Sequence, residues 1–153
     1  MGRPYTFCVY ILDLIEALLD AARDKLKPRV HKGSAKRRTG DKAEDFALAF
    51  LEKQGFSLLE RNLGDEKGEL DLVGTQRGYH GLVVVEVRAR KEGGMLSPRE
   101  AVDHRKQRQV VKTAKRLLKR RSLKGAVRFD IVGVYLSEAG EPMRAERFER
   151  AFR

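Results

Sequence analysis

Cysteine is nearly absent from this 153-residue chain, with Cys8 alone, and tryptophan is missing altogether. A lone cysteine excludes an internal disulfide framework. The histidines His31, His80 and His104 lie far apart, and with one cysteine no zinc-finger spacing can be built. The chain has no run of ~18 apolar residues, so the expectation is a cytoplasmic protein with no membrane span. Four Tyr and seven Phe are scattered along it, which gives no stacking platform for unpaired bases. Acid is the scarcer charge: Asp+Glu number 22 against Lys+Arg 33, for a net charge of +11. That excess favours a polyanionic partner, nucleic acid ahead of an anionic membrane surface. Hydrophobic residues still make up 41%. They come in organised runs, so one domain with a core is expected rather than disorder throughout.

The positive charge is concentrated. Residues 23–38 carry +7 and residues 104–124 carry +10, which leaves the rest of the +11 chain at −6. Dispersed Lys and Arg would be an ordinary solvated surface. Two dense basic segments on a slightly acidic body point to phosphate contact, the competing reading being a solubilising tail.

Along the chain, Leu12, Ile15, Leu18, Leu19 and Ala22 predict an amphipathic helix over 5–22, with Asp13, Glu16 and Asp20 on another face. Asp13 interrupts the apolar stretch and Arg3 is the only cation ahead of it, which argues against a signal peptide. Residues 27–40, rich in Lys and Arg and punctuated by Pro28, Gly33, Ser34 and Gly40, read as a mobile basic linker. A helix is predicted from Asp41, with Asp41 and Glu44 as a capping box and Ala43, Phe46, Ala47, Phe50 and Leu51 as its core stripe, ended by Gly55. Strands are predicted at 56–61, 69–73 and 82–88. A helix opened by Ser97 and Pro98 should then run to about Arg121, with a strand at 127–136 and a short piece at 143–149 behind it.

Strand residues alternate faces. In 82–88, Val83, Val85 and Val87 share one face, and Val84, Glu86 and Arg88 the other; in 69–73, Leu70 and Leu72 oppose Glu69 and Asp71. If the two acid-bearing faces coincide, Asp71 and Glu86 meet. Two readings then stand. Paired carboxylates suit Mg²⁺ or Mn²⁺; equally, Glu86 and Arg88 would make a strand-end ion pair with Asp71 in a turn.

These residues, in this order, resemble the PD-(D/E)xK nuclease superfamily. The segments TGDKAEDFALAFLEKQGFSLLERN, GELDLV, LVVVEVRAR and RFDIV, with the helix carrying Lys106, resemble the YraN-like family of uncharacterised bacterial proteins over residues 39–153. The resemblance implies an α/β fold: a restriction-endonuclease-like αβββαβ core with a central mixed sheet, related to archaeal Holliday-junction resolvases. The helix 5–22 and linker, residues 1–38, would be an extra N-terminal part. It further implies that Asp71, Glu86 and the Val87 carbonyl hold Mg²⁺ or Mn²⁺. Glu44 would approach the metal through water, Arg88 would stand in the usual lysine position, and Lys106 would be a lysine of the following helix. Asn62 and Glu69 fall on motif positions without an assignable role, and Arg128 with Asp130 would be an ion pair supporting the site. Glu44 keeps its alternative as a capping residue, and Lys106 its alternative as a phosphate contact.

Arginine can offset phosphate charge but not act as a base, so the metal would have to generate the hydroxide. The leading expectation is a metal-dependent nuclease on DNA, including branched structures. Arg105, Lys106, Arg108, Lys112, Lys115 and Lys119 would grip phosphates. The alternative is a nucleic-acid-binding module without useful catalysis. An adaptor or anionic-membrane role is third, and the acidic face of helix 5–22 argues against it. That helix is expected to pack on the 39–153 domain or on a second copy of the chain; the dimers of related resolvases favour a homodimer.

Overall fold

The computed structural model describes residues 35–94, 100, 102–120 and 125–153, the side chains of 35–38 excepted. The helix expected over 5–22, residues 27–34 of the linker and the Ser97 helix start lie outside the described residues. Helix α1 (Ala35–Glu52) leads into β1 (Phe56–Asp65), β2 (Gly68–Gln76) and β3 (Leu82–Lys91). Helix α2 (His104–Arg120) then crosses to β4 (Val127–Leu136) and β5 (Pro142–Phe152). The five strands make one sheet in the order β1-β2-β3-β4-β5, with β3 and β4 parallel and the other neighbours antiparallel. This is the expected αβββαβ order, with a fifth strand longer than the short piece predicted.

Each face of the sheet has its own core. Ala43, Ala47 and Leu51 of α1 pack on Leu72, Val83, Val85, Val132 and Val134. Val110, Ala114 and Leu117 of α2 pack on Leu70, Val84, Phe129 and Ile131 of the other face. The valine run of β3 therefore divides as its alternation predicts.

Three expectations need correction. The first helix starts at Ala35, not near Asp41. Asp41 and Glu44 thus lie inside it and form no capping box, and the boundary expected at 38/39 falls within it. Gly40 is a break signal in sequence, yet a mid-helix glycine costs only about 1 kcal/mol, which the packed Ala43–Leu51 stripe outweighs. The second helix starts at His104. Its cap is Asp103, whose carboxylate accepts the Lys106 amide at 2.7 Å. Finally, Leu70 and Leu72 lie on opposite faces of the sheet. The strand loses its alternation at Asp71, where pairing with β3 stops after Leu72–Val85. Across the β1–β2 ladder, Asn62 sits at φ 49 between the pairs Arg61–Leu72 and Leu63–Leu70. Asparagine is among the few residues that tolerate this region. The kink turns the far end of the β1–β2 hairpin onto α2. There Asp65 takes a bidentate bond from Arg116, both distances 2.7 Å, and Arg120 adds a contact at 3.1 Å. Gly68 is needed at this junction, because a Cβ there would lie 2.3 Å from Thr113 Oγ1.

Candidate functional site

The break in β2 exposes a polar cluster at one end of the β2–β3 pair. β3 is apolar and buried from Leu82 to Val87 except for Glu86, which is 1% exposed. Alternation sends Glu86 to the α2 face. Arg88 Nη2 lies 2.6 Å and Lys106 Nζ 3.1 Å from Glu86 Oε1. These are ion-pair distances with poor hydrogen-bond alignment: neither Oε1 nor Oε2 has a hydrogen-bond partner among the described residues. A buried carboxylate in that state is rare: the two cations offset its charge in part, but no aligned hydrogen bond replaces its lost hydration.

Asp71 sits where the β2–β3 ladder ends. In place of a backbone carbonyl, its Oδ2 accepts the Val87 amide at 2.8 Å. The Val87 carbonyl in turn lies 3.5 Å from Arg88 Nη1. Asp71 and Glu86 are therefore joined through one residue of backbone, with Arg88 and Lys106 as the cations common to both. Burial raises the pKa of Glu86 to about 7; the Asp71 charge adds to the rise, while Arg88 and Lys106 oppose it. Burial also pushes Asp71 upward, against the Val87 amide and the same two cations. Two acids, Glu86 buried and Asp71 half-buried, that repel each other and resist ionisation are what an added positive charge would relieve.

Glu44 joins from α1. Burial, then the charges of Asp71 and Asp41, push it up to about 7, while Arg61 and a hydrogen bond with Asn62 pull it down. Glu44 is thus close enough to feel Asp71, and Asn62, given no role by sequence, is its partner. The donors present fit a hard divalent cation: two carboxylates, a neighbouring carbonyl, and buried Glu86 oxygens without hydrogen bonds. Among the described residues no three His, Cys, Asp or Glu side chains form a ready-made metal cage, so waters would complete the shell.

The other expected residues fall elsewhere. Glu69 is exposed on β2. Arg128 and Asp130 do form an ion pair, at 2.9 Å, but on the α1 face, back to back with Glu86. There Asp130 also takes bonds from Arg147 at 3.0 and 2.7 Å and from the Arg150 amide at 3.0 Å. Arg147 reaches on to Gln76 at 2.8 Å. Sequence reasoning found neither Arg147 nor the Asp65–Arg116 lock, since both pair residues from strands or helices distant in the chain. On α2, Lys106 faces the site and Arg116 and Arg120 are held by Asp65. Arg105, Arg108, Lys112, Lys115 and Lys119 are exposed. No helix among the described residues is long and apolar enough to cross a membrane.

Comparison with known proteins finds one family. The profile of the uncharacterised protein family UPF0102 matches residues 43–134, from the buried face of α1 to β4. A UPF0102 protein of Desulforapulum autotrophicum is 42% identical over 118 residues, 76% of this chain and 94% of its own length. One of Persephonella marina is 40% identical over 96 residues, 62% of this chain and 81% of its own. One of Porphyromonas gingivalis is 39% identical over 113 residues, 74% of this chain and 82% of its own.

Proposed function

The chain belongs to the UPF0102 family, and from the site it carries we propose a divalent-metal-dependent nuclease acting on DNA, branched structures included. The observation that supports this most is Glu86: a carboxylate 1% exposed, paired with two cations but without an aligned hydrogen bond among the described residues, beside a second raised acid. Asp71, Glu86 and the Val87 carbonyl would hold Mg²⁺ or Mn²⁺. Such a metal supplies a hydroxide near neutral pH and a positive charge for the phosphate. The chain's own residues do the rest. Arg88 and Lys106 lie against the same carboxylate and would meet a phosphate that approaches it. With a metal bound they would be released in part from neutralising Glu86. Glu44, half-buried and raised to about 7, would accept a proton from a water on the Asp71 side. The net charge of +11 favours a nucleic-acid polyanion as substrate.

Arg88 favours one other reading, a binding module that keeps the fold without useful catalysis. Its guanidinium cannot act as a base and already occupies Glu86 at 2.6 Å. A cleavage assay on junction, flap, single-stranded and duplex DNA with Mg²⁺ or Mn²⁺ separates the two. The nuclease reading expects metal-dependent cleavage that Glu86→Ala abolishes. No cleavage of any of the four by wild type, with DNA binding retained, leaves the binding module.

A further inference from the structure

Helix α2 carries its cations in three groups with different surroundings. Lys106 is 3.1 Å from Glu86. Arg116 and Arg120 are bonded to Asp65 at the hairpin tip. The remaining five, Arg105, Arg108, Lys112, Lys115 and Lys119, follow one another at spacings of three and four residues and are all exposed. At 3.6 residues per turn they fall within about 80° of arc, directly opposite Val110, Ala114 and Leu117. They form a straight ridge about 21 Å long. Asp103 lies near its start, where Arg105 and Arg108 help the Lys106 amide hold that carboxyl below its ordinary value. No hydrogen bond or ion pair among the described residues engages Lys112, Lys115 or Lys119. The ridge points away from the sheet and so away from Glu86.

We propose that this outer ridge of α2 is a second contact surface, separate from the Glu86 site, that binds the backbone of double-stranded nucleic acid without regard to sequence. It rests on the nucleic-acid reading above but not on catalysis. Three features select a duplex. A rigid row of cations matches a ligand whose charges are fixed in space, and about 21 Å corresponds to roughly six base pairs of rise. A duplex presents one charge per ~1.7 Å of axis, denser than a single strand. Among the described residues no Phe or Tyr is exposed, so these offer no stacking platform for unpaired bases. Lys and Arg on an outward helix ridge reach phosphates, which position a ligand but carry no sequence information. Because the ridge and the site face different ways, one nucleic acid engaging both must bend or branch around the start of α2.

The test is equilibrium binding by fluorescence anisotropy in EDTA, where cleavage cannot occur. The full chain is titrated with a 20-base-pair duplex in two unrelated sequences, the matching single strand, and phosphatidylserine vesicles, over a range of salt. The duplexes should bind alike and more tightly than the single strand. The triple variant Lys112→Gln, Lys115→Gln, Lys119→Gln should reduce the log–log salt slope by about 2.7, that is 0.9 for each lost phosphate contact. A control triple, Lys53→Gln, Lys67→Gln, Lys91→Gln, removes the same charge from other exposed positions and should reduce the slope less. Equal losses from the two triples, an unchanged slope in the first, or ridge-dependent binding to vesicles alone would overturn the proposal. Cleavage with Mg²⁺, measured separately, should show the ridge variant raised in KM with kcat kept. A chain that binds through the ridge but cuts nothing would refute the nuclease reading and leave this one standing.

Discussion

Glu86 and Asp130 are buried acids at adjacent levels of neighbouring parallel strands, Asp130 beside Val85 and Glu86 beside Ile131. They face opposite sides of the sheet. Asp130 is 0% exposed, and both its oxygens are bonded, Oδ2 by Arg128 and Arg147 and Oδ1 by the Arg150 amide. Glu86 is 1% exposed with two cations nearby and, among the described residues, no aligned bond on either oxygen. The first arrangement is complete: the network ties β4 to β5 and, through Arg147 and Gln76, to β2. The second is unfinished, held by two cations and strained by a second acid. Burial and net charge alone would rank the two alike. It is the satisfaction of each oxygen that separates the two environments.

The sharpest way to break this comparison is to remove each acid in turn. Glu86→Ala should abolish metal binding and cleavage while the fold and duplex binding persist. Asp130→Ala takes the buried counter-charge from Arg128 and Arg147 and leaves them only the half-exposed Glu149, at 3.4 and 3.9 Å; it should cost about 3 kcal/mol of stability, read from urea unfolding. If Glu86→Ala unfolds the chain and Asp130→Ala is silent, the roles are reversed.

Next in size is Arg88. Removing one preorganised charge donor usually costs about 10²–10³ in rate. Arg88→Ala should therefore slow cleavage by that factor in single-turnover assays, with duplex affinity nearly unchanged. Arg88→Lys should keep or raise the rate. An unaffected rate in Arg88→Ala would take that guanidinium out of the mechanism.

The unfinished site should also show itself in the response to pH. Glu86 and Glu44 have folded-state values near 7 against ordinary values near 4.5. The metal-free folded chain thus holds protons that the unfolded chain has lost between those limits. Its stability should fall as pH rises from about 4.5 to 7 and be lowest above 7. Divalent metal, which favours the ionised site, should restore most stability there. A thermal melting series at pH 5.5 and 8, with and without Mn²⁺, checks this; equal metal effects at both would contradict it.

The smallest expected effect concerns the hairpin tip. Arg116 holds the Asp65 carboxyl well below the ordinary carboxylate range. A depressed folded-state value stabilises above the unfolded value near 3.8, and that contribution is lost as pH falls below it. Asp65→Asn should lower the melting temperature at pH 7 by less than Asp130→Ala does, and the difference from wild type should shrink toward pH 3.

Much of this was legible in the sequence. Alternation in β3 put Glu86 and Arg88 on one face and the three odd-numbered valines on the other, because a strand buried on both faces must keep period two. The end of α2 was readable as well, expected at about Arg121 and found at Arg120. What could not be read were events with no local signature. Gly40 looks like a boundary, but tertiary packing of α1 overrides its propensity. The reversal at Asn62 and Asp71 breaks alternation in two strands at once, so Leu70 and Leu72 look like partners and are not. The one available signal was asparagine itself, the residue type suited to positive φ in an otherwise strand-like run. The Arg147–Asp130 network spans 17 residues and reaches a third strand, and nothing in the spacing announces it.

The most direct test of the account is the stoichiometry of Mn²⁺ binding to the full chain at pH 8, by titration calorimetry, in wild type and in Glu86→Gln. That variant keeps the size and packing of the side chain and removes only its charge. The expected result is one Mn²⁺ per wild-type chain and none for Glu86→Gln. A wild-type chain that binds no Mn²⁺, or a Glu86→Gln chain that binds it as tightly as wild type, would contradict the claim that the unfinished acid is the metal's.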